Sequence, residues 1–216
     1  VVFIYNWGKA EMVDNLRELG IKVVVVKGPK SIADVKENVK LIAKTLGEED
    51  KGNLMIAKMD DKLAEIKEKV DNIKPEERKK LVLISLMTSY GGKGCTFDDI
   101  CQYAGVINGV SDAGLHNGQF LTKEMLVAIN PDLLIMPVYN DHNTFDIEKY
   151  NKEFLDDPAL QTLNAVKEKR FFYPREGYIY NSSQDIVFGV QEVARAAYGE
   201  LFSQPENCHI SVAEIN

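Results

Sequence analysis

The sequence predicts an α/β protein of two lobes, each a parallel sheet covered by helices, joined by one long helix. Three observations predict it. Strand-length apolar runs alternate with amphipathic stretches of helical period, the pattern of parallel strands under crossover helices. One helical stretch, from Glu48 to about Ile73, is much longer than the rest and lies between two such alternations. Gly, Pro or Asn punctuates most of the junctions.

The elements follow in order. VVFIY at 1–5 is apolar, β-branched and aromatic, and reads as a buried strand. Met12, Val13, Leu16 and Leu19 share one face of a helix that Gly20 stops. IKVVVV at 21–26 is a second buried strand. Ser31 with Asp34 resembles a capping box, and Ile32, Val35, Val39, Ile42 and Leu46 carry a helix to Gly47. In the long helix Met55, Met59, Leu63, Ile66, Val70 and Ile73 form a narrow apolar stripe before Pro75. The remainder is Lys, Glu and Asp, so a largely solvated helix lying across its neighbours is expected.

LVLISLM at 81–87 is a strand and TSYGGKGCT at 88–96 a glycine-rich loop. A short helix follows, with Phe97, Ile100, Cys101 and Ala104 inward and Gly105 at its end. LTKEMLVAI at 121–129 is a helix capped by Thr122, and Asn130-Pro131-Asp132 separates it abruptly from the strand LLIMPVY at 133–139. Proline disfavours helix in the residue before it, so the break falls at Asn130. Helices are expected over 146–155 and 158–167, a strand at FFYP, and a closing helix over 183–203. The inward residues of that last helix are Ile186, Val187, Val190, Val193, Ala194, Ala197 and Leu201.

Bulk properties narrow the partners. The 216 residues suffice for one large domain or two small lobes with a real core. A net charge of −7 without a long basic run argues against a nucleic-acid partner. No apolar run approaches the roughly 18 residues of a membrane span. Cys95, Cys101 and Cys208 are too few for a disulfide scaffold; Cys95 and Cys101 either pair or are buried thiols. The chain opens with Val1 inside a strand, which is expected of a processed chain or a fragment.

The phrase LVAINPDLLIM, a short helix, Asn-Pro-Asp and a buried strand, resembles the substrate-binding proteins of ABC importers for iron-siderophores, haem and cobalamin. FDDICQYAGVINGV, DDPALQTLNAVKEKRFFYP (with Leu160 where that family commonly has Trp) and GELF resemble further family segments in the right order. The resemblance covers nearly the whole chain. It implies the class III periplasmic-binding-protein fold, with a partial N-terminal lobe at 1–47, a rigid connecting helix at 48–76 and a C-terminal lobe at 77–216. VVFIY falls where the family's second N-lobe strand belongs, so the N-lobe is expected to be incomplete.

Ligands of open α/β sheets bind beyond the carboxyl ends of the strands. That rule selects Tyr5, Asn6 and Trp7; Ser89 and Tyr90; Tyr139, Asn140 and His142; and Arg175, Tyr178 and Tyr180. Trp7, the only tryptophan, suits stacking on a flat ligand. Residues 91–94 offer backbone N–H groups to an anion, although GGKGC does not match a Walker A loop. Arg175 suits a ligand's negative charge. The resemblance further implies an acidic docking residue on each lobe for the permease: Glu11 on the first, Glu176 or Asp185 on the second, where the matching position near Tyr180 is not acidic.

The resemblance thus implies a non-enzymatic, extracytoplasmic protein, periplasmic or lipid-anchored, that takes an iron-siderophore, haem or cobalamin and partners a permease dimer with its ATPase. No cofactor or resident metal is expected. A second reading is a Zn²⁺ or Mn²⁺ carrier, for which the chain has only His116, His142 and His209. A third is an enzyme on a doubly wound fold, with Cys95 as nucleophile or a nucleotide on the glycine loop. The open sheet edge of a partial N-lobe also suggests a dimer.

Overall fold

The computed structural model describes residues 1–8, 10–86, 89–138 and 145–213. It builds two parallel sheets. The first pairs β1 (Val2–Tyr5) with β2 (Val23–Val26) across the crossover helix α1 (Ala10–Glu18). The second has the order β4-β3-β5-β6, from β3 (Lys80–Leu83), β4 (Ile107–Asn108), β5 (Leu133–Ile135) and β6 (Phe171–Phe172).

Between the sheets run α2 (Ile32–Leu46) and the long α3 (Glu49–Val70). Ser31 caps α2, its Oγ accepting from Asp34 N–H at 3.1 Å. Gly47, in the left-handed region at φ 71°, turns the chain straight into α3. There Gly52 lets the two helices close together, because a Cβ at that position would sit 2.4 Å from Ala43 Cβ. At 1.5 Å per residue α3 is about 33 Å long. It is no free rod: Met59, Leu63, Ile66 and Val70 are buried in one core with Ile32 and Val35 of α2, Phe97 and Ile100 of α4 (Thr96–Tyr103) and Val187 and Val190 of α10 (Ile186–Tyr198). The narrow stripe is legible in sequence, but its burial against three helices is not. The helix also ends at Val70, with Pro75 opening a separate single turn.

The other face of the large sheet packs Val82, Leu134 and Met136 against Leu126 of α6 (Lys123–Ile129) and Leu160 and Leu163. The Asn130-Pro131-Asp132 break has a role for each polar residue. Asn130 adopts the left-handed C-cap at φ 44°, and its Oδ1 accepts from Asn164 N–H at 3.0 Å. Asp132 Oδ2 accepts from Lys80 N–H at 2.9 Å, fixing β3 beside β5.

Several expectations need correction. The strands of the small sheet are only half-buried, and on α1 Val13 alone is buried while Met12 and Leu19 are exposed. A two-stranded sheet offers too little surface to cover a helix face. The stretch 158–167 is a single turn at 158–160 followed by α8 (Asn164–Lys167). The closing helix is shorter than expected. Tyr198 and Gly199 end it, and Phe202, not Leu201, enters the core. A one-turn α9 (Glu176–Ile179) precedes it.

Candidate functional site

The carboxyl ends of both sheets carry aromatic side chains. On the small sheet Tyr5 ends β1, and its ring lies 4.4 Å from that of Trp7, tilted by 35°. Asn6 Oδ1 accepts from Gly28 N–H at 2.8 Å, joining the loops that leave β1 and β2. Gly28 forms the floor beneath Trp7: a Cβ there would sit 2.2 Å from the indole carbons. Trp7 is nonetheless 66% exposed.

On the large sheet Tyr90 and Tyr180 meet with ring centroids 5.5 Å apart. Tyr90 Oη shares a 2.8 Å hydrogen bond with Thr96 Oγ1, and Tyr180 Oη donates to Ser85 Oγ, just past β3, at 3.3 Å. Burial pushes both phenols above their ordinary range. The two sides touch: Tyr5 Oη donates to the Ser182 carbonyl at 3.3 Å. That bond joins the Tyr5–Trp7 pair to the segment that carries Tyr180. Beside it a cavity of about 90 Å³ opens among Ser85, Tyr90, Thr122, Lys123 and Tyr150.

The glycine-rich loop is built differently from the sequence expectation. Lys93 N–H donates to Leu115 O at 2.9 Å and Gly94 N–H to Asp98 Oδ2 at 3.3 Å, so neither is left for an anion. Buried Asn108 ties the loop down, donating to Gly91 O and Asp98 Oδ1, both at 2.9 Å. Gly92 is required because a Cβ would stand 2.7 Å from the His116 backbone. The loop is a stapled ledge that holds Ser89 and Tyr90. Its Cys95 is buried with Sγ 3.2 Å from Gly92 O, and desolvation raises its pKa, as it does for Cys101. Cys95, Cys101 and Cys208 are all free thiols.

Arg175 and Tyr178 do not join the aromatic group. Arg175 Nη1 donates to Pro205 O at 2.6 Å and Gln204 O at 3.3 Å, and buried Tyr178 donates to Cys208 O at 3.1 Å. Both are spent on the C-terminal segment. Asp185 is likewise engaged there, through His209 and Ile210. Glu11 is exposed on the first turn of α1. Tyr139, Asn140 and His142 lie outside the described residues, as does the side chain of Glu176. Among the described residues no group of three His, Cys, Asp or Glu side chains is placed to hold a metal ion, and no helix is long and apolar enough to cross a membrane.

Sequence reasoning missed Ser85, Ser182 and Gly28. Serines carry little pattern in a sequence, but Gly28 follows a strand end and stands opposite Asn6, which is a usable signal.

The sequence model of the periplasmic binding protein family matches residues 1–176. The uncharacterized ABC transporter substrate-binding lipoprotein YvrC of Bacillus subtilis (strain 168) is 25% identical over 201 residues, 90% of this chain and 60% of that protein. The chain thus spans about 60% of the length of that curated relative. Among solved structures, the periplasmic heme-binding protein RhuT from Roseiflexus sp. RS-1 superposes with a TM-score of 0.78 at 19% identity, over 91% of this chain and 74% of that one. The molybdate-binding MolA of Haemophilus influenzae gives 0.74 at 16%, over 93% and 66%. At such identities the likeness shows the fold, two lobes of the class III type, and these two neighbours carry chemically unrelated ligands.

Proposed function

Because this chain belongs to the periplasmic binding protein family, we propose that it is the extracytoplasmic solute-binding part of an ABC importer. Its ligand in this reading is an iron-siderophore or another iron chelate or tetrapyrrole, held between the lobes and passed to a permease dimer with its ATPase. The observation that carries the proposal is the presence of an aromatic pair beyond the strands of each sheet, Tyr5–Trp7 and Tyr90–Tyr180, with Tyr5 Oη donating to the Ser182 carbonyl, two residues from Tyr180. Aromatic walls with a few hydroxyls suit a flat or apolar-faced ligand.

In this proposal residues 1–47 form the first lobe, 48–76 the connector and 77–216 the second lobe. Tyr5, Asn6, Trp7, Ser89, Tyr90 and Tyr180 face the ligand, joined by Tyr139, Asn140 and His142. Glu11 meets the permease. The chain works by binding: the candidate nucleophile Cys95 has a buried thiol whose pKa burial raises, which suppresses the thiolate. A dimer through the open edge of the β1–β2 sheet belongs to the same reading, and a monomer in light scattering removes it.

The test is a Trp7 fluorescence titration with a ferric hydroxamate, a ferric catecholate, haemin and cobalamin, with calorimetry in parallel. Saturable quenching by one compound, weakened at least tenfold in Tyr180→Ala, is expected. Absence of heat and of quenching with all four defeats the ligand class. Saturable binding that Trp7→Phe and Tyr180→Ala leave unchanged defeats the site.

A further inference from the structure

We propose that residues 203–213, the stretch beyond α10, act as a strap that sets the position of the junction-facing segment 180–185, with Asp185 as its clasp and His209 as the partner that closes it. Asp185 occupies the N-cap position of α10, where an aspartate ordinarily accepts from the first free N–H groups of the helix. Here it makes no such bond. Its carboxylate turns to the strap instead: Oδ1 accepts from Ile210 N–H at 2.8 Å and Oδ2 lies 2.6 Å from His209 Nδ1. A helix has given up its side-chain cap to hold a distant piece of chain, so the contact is a specific one.

The strap is anchored on both sides of that clasp. Upstream, buried Gln204 donates from Nε2 to Phe188 O and Glu192 Oε2, both at 3.1 Å, and Arg175 grips the Gln204 and Pro205 carbonyls. Downstream, Ile210 is buried in the main core, and Lys58 of α3 donates to Ser211 O at 2.7 Å. The strap thereby ties the long helix between the sheets to the segment that Asp185 ends. The opposite side of that segment presents Tyr180 to Tyr90 and Ser85, and the Ser182 carbonyl to Tyr5. Asp185 and His209 are thus positioning residues: they touch no ligand in this reading, but they fix the groups that do.

The contribution to binding rests on the reading above; the position of the segment is measurable without any ligand. The experiment is amide hydrogen exchange on the full chain, comparing Asp185→Ala, His209→Ala and His209→Asn with the parent. Asp185→Ala is expected to speed exchange across 180–185 at least tenfold, while β3 and the body of α10 keep their rates. His209→Ala is expected to give a smaller acceleration at the same amides, and His209→Asn, whose amide N–H takes the place of Nδ1, to restore most of it. Unchanged exchange at 180–185 in Asp185→Ala overturns the proposal. So does uniform acceleration through β3 and α10, which means that Asp185 supports the lobe as a whole. Should Asp185→Ala fail to fold, His209→Ala decides alone, because that side chain is 57% exposed and outside the core: a local acceleration supports the strap and none overturns it.

Discussion

The two sheets are made of the same kind of sequence and end in different states. VVFIY and KVVVV are as apolar and β-branched as LVLI and LLIM. Yet Val2 and Val25 of the small sheet are 37% and 41% exposed, while Leu81, Val82, Leu134 and Ile135 of the large sheet are sealed at 0%. The difference lies in what covers them. The large sheet has α4 and α10 against one face and α6 with the 158–167 segment against the other. The small sheet has α1, which buries Val13 alone. An apolar strand in a sequence therefore states what the segment can bury, and the number of neighbouring layers decides what it does bury.

Truncation of one residue in each sheet breaks or sharpens that contrast. Leu134→Ala should cost about 3 kcal/mol, the usual range for a sealed leucine that leaves a cavity. Val25→Ala should cost under about 1 kcal/mol, because little area leaves water there. Urea unfolding of the two variants measures both; equal losses would mean that the small sheet is as integral to the cooperative unit as the large one.

The glycines give the next largest effect. Gly92→Ala drives a methyl into the backbone at Leu115 and His116, which cannot swing aside, and should cost about 2 kcal/mol. Gly28→Ala meets the Trp7 ring, an exposed side chain free to move, and more loosely Asn6 Oδ1 at 3.3 Å. It should cost under about 1 kcal/mol while shifting the Trp7 emission, which thermal melts and fluorescence spectra separate. A destabilisation as large as that of Gly92→Ala would place Trp7 in the packing of its lobe and take it out of the candidate site.

The smallest effect is in alkali. Burial raises the phenols of Tyr90 and Tyr180 and the thiol of Cys101. A group whose folded pKa lies above its unfolded value supports the fold fully below the unfolded value and loses that support as pH climbs through the folded one. Stability should therefore fall as pH rises past about 10, the ordinary phenol value. Tyr180→Phe should flatten the fall, as read by melting temperature against pH.

The sequence disclosed the fold at the places where local chemistry and tertiary structure agree. Thr122 caps α6 as its spacing requires, Asn130 takes the left-handed turn before Pro131, and Phe97, Ile100, Cys101 and Ala104 all point inward. Of the candidate site it disclosed residues that form two aromatic pairs beyond strand ends, Tyr5 with Trp7 and Tyr90 with Tyr180. Arg175 and Tyr178 were selected by the same rule, and Asp185 as a docking acid by the resemblance; all three are engaged elsewhere, because the segment that claims them is 20 to 30 residues further on. No local pattern signals a hydrogen bond to a remote backbone carbonyl. The engagement of the Lys93 and Gly94 N–H groups was hidden for a related reason: a run of glycines shows where backbone can come close, and whether it approaches a ligand or a neighbouring loop is settled only by the fold.

The strand order also governs how this chain comes into being. β3 lies between β4 and β5, and both follow it in the chain. Leu83 ends β3 and Leu133 begins β5, a gap of 50 residues, which at a synthesis rate of about 5–20 residues per second takes roughly 3–10 seconds. Through that interval β3, whose Leu81, Val82 and Leu83 are buried in the finished sheet, has no partner on its β5 side. The closing of the sheet is thus timed by the arrival of a late segment, and a nascent chain halted before β5 carries an open apolar edge for as long as the halt lasts.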